Sequence, residues 1–366
     1  MAKRHIHALT GVRGIASFWV LLHHTPNLHR EVEFHIPYVG NLFDKGWLGV
    51  DLFFVLSGFV ISYVYGAKMR TFSWPAALRF WKLRVARIYP AHVVATLAFA
   101  PVYLGAHFAF GYVSPNDAFS VTKLLHALTL TNGWGIPNAT GWNMPSWSVS
   151  SEWAAYLAFP LIVPLTGRNR SLALNTGGIV AIIAAMLGLA FWQNGGTSYT
   201  LQWEWTLLRI ASEFLIGCLI YDMFRELSGR DERPIYDWIA GGSLMAIAGL
   251  SLWGLPSIYD FVLILLFATL VLSLALSNGP IARWFGGRAL VYLGEISYSI
   301  YLIHTVILLV MGQALKRFWT DASTVPTAGF MAAYLVFIGV SILAGHLLFR
   351  FIEEPARKWL RAKWVK

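Results

Sequence analysis

Cysteine is almost absent. The 366-residue chain has one, Cys218, set in an apolar run. A single thiol builds no disulfide framework, and no Cys/His spacing of the metal-binding kind occurs. Cys218 reads as a small core residue. Charge is scarce as well. Charged residues make up 13% of the chain and hydrophobic ones 57%, against roughly 25% charged in an average soluble domain. Mean hydropathy is +0.57. These values exclude a soluble globular protein and point to a multi-span membrane protein. Negative charge is the scarcer sign, so the net charge is +10. That excess does not indicate nucleic acid, because basic residues of membrane proteins gather on cytoplasmic loops. There is no internal repeat, no low-complexity tract and no polar stretch long enough to fold alone. Residues 1–366 therefore read as one integral-membrane domain with no appended periplasmic or soluble domain. The basic start, MAKRHIH, precedes an apolar run that carries Arg13 and lacks a small-residue cleavage site. It reads as a retained first span and not a signal peptide.

What is present is a set of apolar runs near the ~20 residues needed to cross the hydrocarbon layer. The expected fold is all-α, with about ten transmembrane helices at 8–26, 47–66, 86–109, 147–166, 172–192, 205–224, 235–254, 258–278, 289–312 and 328–351. The segment 119–131 is too short to span. With both termini in the cytoplasm, 21 Lys and Arg fall on inner segments and 5 on outer ones, and Arg13 and Arg209 lie within spans. That asymmetry supports an even number of spans. The longest outer connection, 110–146, contains TNGWGIPNATGWNMP. Its Asn, Gly and Pro make turns. Its Trp faces and amides equally suit a sugar-gripping surface or an ordinary interfacial loop.

The stretch 8–25, ALTGVRGIASFWVLLHHT, carries two costly polar groups. Arg13 and His24 are eleven positions apart, so on a helix they share a face about 16 Å apart along the axis. Such a pair in a lipid-embedded helix lines a cavity or a substrate path. His24 can take a proton from a hydroxyl, or it can be a histidine tied to a backbone carbonyl. His23 points about 100° away and is secondary. In PSWSVSSEWAAYLAFP, Ser148 and Glu152 share a face at the outer end of the fourth span, at the depth of His24. A carboxylate there can orient an imidazole and stabilise imidazolium. In RFWKLRVARIYP, Arg84 and Arg87 share a face on the inner side, where paired guanidiniums grip phosphate. The alternative is a positive-inside anchor. Asp51 is buried early in the second span with Ser57 and Gly58 beyond it, read as packing residues. Arg209 and Glu213, four apart, form a structural bridge. Glu295, Tyr298, Tyr301 and His304 lie in the ninth span, and Glu353–Glu354–Pro355 mark the last exit.

Several of these motifs, taken in order, resemble the acyltransferase-3 family of bacterial integral-membrane O-acyltransferases. Arg13 and His24 fit its Arg, ten residues, His pattern. GVDLFFVLSGF at 49–59 is similar to its second-span signature, and Arg84 and Arg87 fit its Arg-x-x-Arg. WSVSSEWAAY at 147–156 resembles its Trp-Ser-Leu-x-x-Glu-x-x-x-Tyr, with Val149 in place of Leu. ISYSIYLIH at 296–304 and FIEEPAR at 351–357 resemble its late signatures. The resemblance spans Leu9 to Pro355. It implies acyl-CoA, usually acetyl-CoA, as co-substrate from the cytoplasm, and His24 as base or acyl relay. It also implies a cell-surface or lipid-linked carbohydrate acceptor and residence in the bacterial inner membrane. Arg13, Arg84 and Arg87 are then expected to hold the donor, with Glu152 orienting His24 and Ser148 donating to the oxyanion. A macrolide-like small molecule or a lipid is an alternative acceptor, and a polytopic transporter an alternative class.

Overall fold

The computed structural model describes residues 6–25, 38–111, 113–166, 171–196, 203–228, 234–318 and 327–364. Among these residues the chain is helical throughout and contains no strand. Part of the charge map lies outside the described residues: Lys3, Arg4, Arg30, Arg168, Arg170, Arg230, Arg233 and Lys366.

The principal helices run in chain order. They are α1 (His7–His23), α2 (Gly49–Tyr65), α3 (Trp74–Leu97), α4 (Phe99–Phe110), α5 (Val121–Leu128), α6 (Ser146–Thr166) and α7 (Leu172–Gln193). The rest are α8 (Thr206–Leu227), α9 (Ile235–Leu252), α10 (Ile258–Leu276), α11 (Arg288–Phe318), α12 (Thr327–Leu348) and α13 (Glu354–Trp364). A π-helical turn, Phe349–Glu353, joins the last two. A helix is the natural answer to these apolar runs, since it satisfies its backbone within one segment where no water is available.

Seven stretches among the described residues are long and apolar enough to cross a membrane. They coincide with seven of the ten expected spans. Helices occupy the other three positions too, but these three carry the polar load. Helix α1 has 17 residues and holds Arg13. Helix α6 starts SWSVSSE, and α8 contains Arg209, Glu213 and Asp222. Their polar groups turn inward: Ser148, Ser150, Ser151, Glu213 and Asp222 are all buried. The outer helices show the reverse pattern. Leu161, Leu174, Val180, Met245, Leu335 and Leu343 are exposed, as lipid-facing side chains are. The protein is a multi-pass membrane protein, and 119–131 holds only the eight-residue α5.

Two close helix contacts set the position of α1 and α2. Helix α1 packs along α11, with glycine on both sides. A methyl on Gly294 would collide with the Thr10 carbonyl oxygen, and one on Gly14 would press on the Gly294 backbone. Helix α2 meets α8 at Gly58 and Gly217, where a methyl on either would strike the backbone of the other helix. Small residues at these points let backbones approach. In α3, Pro90 interrupts the backbone bonding in mid-helix. The apolar core lies around α1, α2, α8 and α10, and a second cluster fills the space between α2, α3, α6 and α11. The site sits within this second cluster.

Candidate active site

Helices α1, α2, α3, α6 and α11 enclose a cavity of about 130 Å³. Five of the six expected site residues line it: Arg13, Arg84, Arg87, Ser148 and Glu152. The walls between them are apolar, with Phe53, Phe54, Val60 and Ile88 among them. The two ends differ in chemistry. Arg84 lies over the rings of Tyr65 and Tyr156, at 5.1 and 5.8 Å, and Arg87 lies 5.8 Å from the ring of Tyr298. Ser148 is two helical turns from Tyr156 on α6 and bonds the Tyr301 hydroxyl at 2.7 Å. The cavity therefore runs from a cationic end to a hydroxyl-lined end.

The three arginines are held differently. Arg84 donates from Nη2 to the Tyr65 hydroxyl at 2.8 Å, and its Nε is buried without a partner among the described residues. Arg87 is ion-paired with Glu353, which is fully buried. Glu353 comes from the π-helical turn after α12 and also accepts a 2.6 Å bond from Ser299. Such turns interrupt helices where a side chain must be re-aimed. Arg13 faces the charge of Glu152. Arg87 is thus neutralised from behind, while Arg13 and Arg84 keep donor capacity toward the cavity.

Glu152 does not bond to His24. Its Oε1 accepts from Ser57 at 2.7 Å and from the Tyr156 hydroxyl at 2.5 Å. The expected depth match placed Glu152 level with His24. Instead, its carboxylate bonds across to Ser57 of α2 and back to Tyr156 of its own helix, and its charge faces Arg13. Ser57, expected as a packing residue, is one of its two partners.

His24 ends α1 and is not among the residues lining the cavity. Its Nδ1 donates to the Val20 carbonyl at 2.9 Å. The carbonyl bond and the availability of a second ring nitrogen are therefore compatible: the bond fixes Nδ1 as the protonated atom and leaves Nε2 with its lone pair. The ring of His24 packs edgewise on that of His304, centroids 4.8 Å apart and planes at 66°. His304 in turn lies 5.9 Å from Tyr301, which lines the hydroxyl end of the cavity. The route from cavity to His24 is thus Ser148, Tyr301, His304, His24. The signal for His304 was its place in the ninth-span motif three residues after Tyr301, but sequence spacing assigned it no partner.

Two other expectations fall outside this cavity. Arg209 and Glu213 do pair, at 3.2 Å, and Asp51 joins them as a third member through an ion pair to Arg209. The aromatic loop before α6 spends its polar groups within the protein. Asn132 donates to Ser146 at 2.9 Å, Asn143 to the Leu302 carbonyl at 2.8 Å, and the Trp134 and Trp142 indoles to backbone carbonyls. Its amides hold the loop onto α6 and α11. Among the described residues no group of three or more metal-ligating side chains occurs.

A family profile described as an acyltransferase domain matches residues 6–346. The acyltransferase MdmB of Streptomyces mycarofaciens is 29% identical over 381 residues, covering 96% of this chain and 92% of that protein. A Staphylococcus aureus (strain COL) protein provisionally named as an O-acetyltransferase is 24% identical, covering 97% of this chain and 58% of its own length. Protein 2 in the picA locus of Rhizobium radiobacter is 35% identical over 109 residues, 30% of this chain and 51% of that protein. No solved structure matches the chain.

Proposed function

The chain belongs to the acyltransferase-3 family, and from that premise we propose that this membrane acyltransferase moves an acyl group, acetyl by preference, from cytosolic acyl-CoA to a hydroxyl of a cell-surface or lipid-linked carbohydrate. The observation that carries the proposal is the polarity of the cavity. Arg13, Arg84 and Arg87 stand at one end, and Ser148 and Tyr301 at the other, beside the His304–His24 pair. A CoA phosphate fits the cationic end, where Arg13 and Arg84 have unspent donors. The distance from Arg13 to His24, about 16 Å by helical rise, suits an extended pantetheine arm.

On this reading the protein has about ten spans with both termini in the cytoplasm of a bacterial inner membrane. The excess of Lys and Arg on alternate connections supports that placement. His24 Nε2 takes the proton of the acceptor hydroxyl as its oxygen attacks the thioester carbonyl. At rest the Ser148 hydroxyl gives its one proton to the Tyr301 hydroxyl and the Pro145 carbonyl, and in the reaction it turns from them to donate to the oxygen that gains charge. The ester C–O bond forms, the thioester C–S bond breaks, and the proton passes from His24 to the departing sulfur. Glu152 balances the charge of Arg13 and, with Ser57 and Tyr156, fixes the wall between the two ends.

Mass spectrometry of surface glycans from cells with and without the gene, with His24→Ala as the third arm, tests this. The expected result is an acyl mass increment on a glycan that requires both the gene and His24. Label found on a lipid or a small molecule would reassign the acceptor. Solute movement with no acyl-CoA present would reassign the protein to transport.

A further inference from the structure

The face of α2 that lines the cavity changes chemistry along its length. Phe53, Ser57 and Val60 are spaced to share that face, and all three line the cavity. The ring of Phe53 packs edgewise on the ring of Tyr301, with centroids 6.4 Å apart and planes at 63°. One turn on, Ser57 donates to Glu152 at 2.7 Å. Val60 follows, and Tyr65, the last residue of α2, accepts from Arg84. Phe53 therefore belongs to the hydroxyl end, and Val60 lies about 10 Å along the axis toward the cationic end. Tyr301 also bonds Ser148 at 2.7 Å. One side chain thus separates the Phe53 ring from the Ser148 hydroxyl. Val50, one turn before Phe53, continues the apolar wall at this end. No step of the transfer uses that wall.

Four groups converge on the thioester carbon as it reacts. The sulfur arrives on the pantetheine arm from the cationic end, the oxygen that gains charge meets Ser148, and the attacking hydroxyl comes from the side of His24. The fourth is the acyl chain, the one substituent that is purely apolar, and an apolar wall is the surface that suits it. Resting on the reading of Ser148 as the oxyanion donor, we propose that Phe53 sets the length of the transferred acyl group: its ring, packed on Tyr301, closes the hydroxyl end and leaves room for acetyl but not for longer chains. The cavity is about 130 Å³, and it also has to admit the thioester and the tip of the pantetheine arm. A longer chain has to push the Phe53 ring off Tyr301, and overpacking a fitted wall is unfavourable. One methylene in a fitted apolar pocket is discriminated roughly 10- to 200-fold. The balance of the step is unchanged. The thioester C–S bond breaks, the ester C–O bond forms, and the acceptor proton ends on the sulfur. Phe53 selects the donor and takes no part in proton transfer.

Internal competition tests this. Proteoliposomes of wild type and variants receive equimolar acetyl-CoA, propionyl-CoA and butyryl-CoA, with envelope material from gene-deleted cells as acceptor. Mass spectrometry counts each transferred acyl group. Product ratios report ratios of kcat/KM, so the folded fraction cancels. Wild type should favour acetyl over butyryl by about tenfold or more. Phe53→Ala should raise the butyryl-to-acetyl ratio about tenfold or more. Phe53→Leu keeps a large apolar side chain and decides the matter if the alanine variant does not fold; it should raise the propionyl-to-acetyl ratio about threefold or more. Val60→Ala enlarges the same cavity at its other end and should leave both ratios within about twofold of wild type. Unchanged ratios in the Phe53 variants overturn the proposal, as does an equal change in Val60→Ala. If wild type transfers no acyl group from any of the three donors, the reading of the protein as an acyl-CoA-dependent transferase falls, and the role of Phe53 falls with it.

Discussion

Glu353→Gln is the substitution whose consequence the structure defines most tightly. Glu353 is 0% exposed and its ion-pair partner Arg87 is 17% exposed. Arg87 shares its cavity with Arg13 and Arg84, and Glu152 is the one carboxylate among the lining residues. Removing the Glu353 charge leaves three guanidiniums facing one carboxylate in a wall of apolar side chains. Breaking a buried pair by deleting one partner costs about 3–5 kcal/mol. Glutamine keeps an oxygen for the 2.6 Å bond from Ser299, so the lower end, about 3 kcal/mol, is expected; that is roughly a 150-fold change in the folding equilibrium. Equilibrium unfolding in mixed micelles measures it. Arg87→Met should cost a similar amount by stranding Glu353, and the double variant should cost far less than the two singles added together. That non-additivity is the signature of the pair. A Glu353→Gln loss under about 1 kcal/mol, or strict additivity, would refute the reasoning.

Arg84→Ala should raise KM for acyl-CoA about tenfold or more while changing kcat little, in steady-state assays with saturating acceptor. A defect confined to acceptor binding would count against a phosphate role. Ser148→Ala should lower kcat on the order of 10- to 1000-fold at unchanged KM for the donor, as removal of an oxyanion donor does; unchanged kcat in a folded variant would remove Ser148 from the mechanism. Gly294→Ala drives a methyl into the Thr10 carbonyl oxygen and should separate α1 from α11. Transfer activity should fall more steeply than folded yield, because that helix pair also carries His24 and His304. Equal falls would mean that the contact serves stability alone.

Much of the fold was legible because the signal is physical and strong. Apolar runs of membrane length can only be helices, and helices stand at all ten expected positions. The cluster of Arg13, Arg84, Arg87, Ser148 and Glu152 was legible from intrahelical spacing, which places residues on a face. What spacing does not supply is the rotation of one helix against another. That is why Glu152, level with His24 on paper, bonds Ser57 and Tyr156 instead. It is also why Glu353 and His304 stayed without partners. Each acts across helices distant in sequence, and Glu353 is re-aimed by a π-helical turn that no residue pattern announced. Asp51 was ambiguous for the same reason: its partner Arg209 lies 158 positions away.

The central claim is that the donor lies along α1, with phosphate at Arg13 and Arg84 and the thioester beside His24. Electron cryomicroscopy of the protein with a non-reactive thioether analogue of acetyl-CoA tests it directly. The account predicts density for the nucleotide phosphates against Arg13 and Arg84, and the analogue sulfur and carbonyl within about 4 Å of the His24 ring. A nucleotide bound away from these arginines, or a sulfur remote from His24, would contradict it.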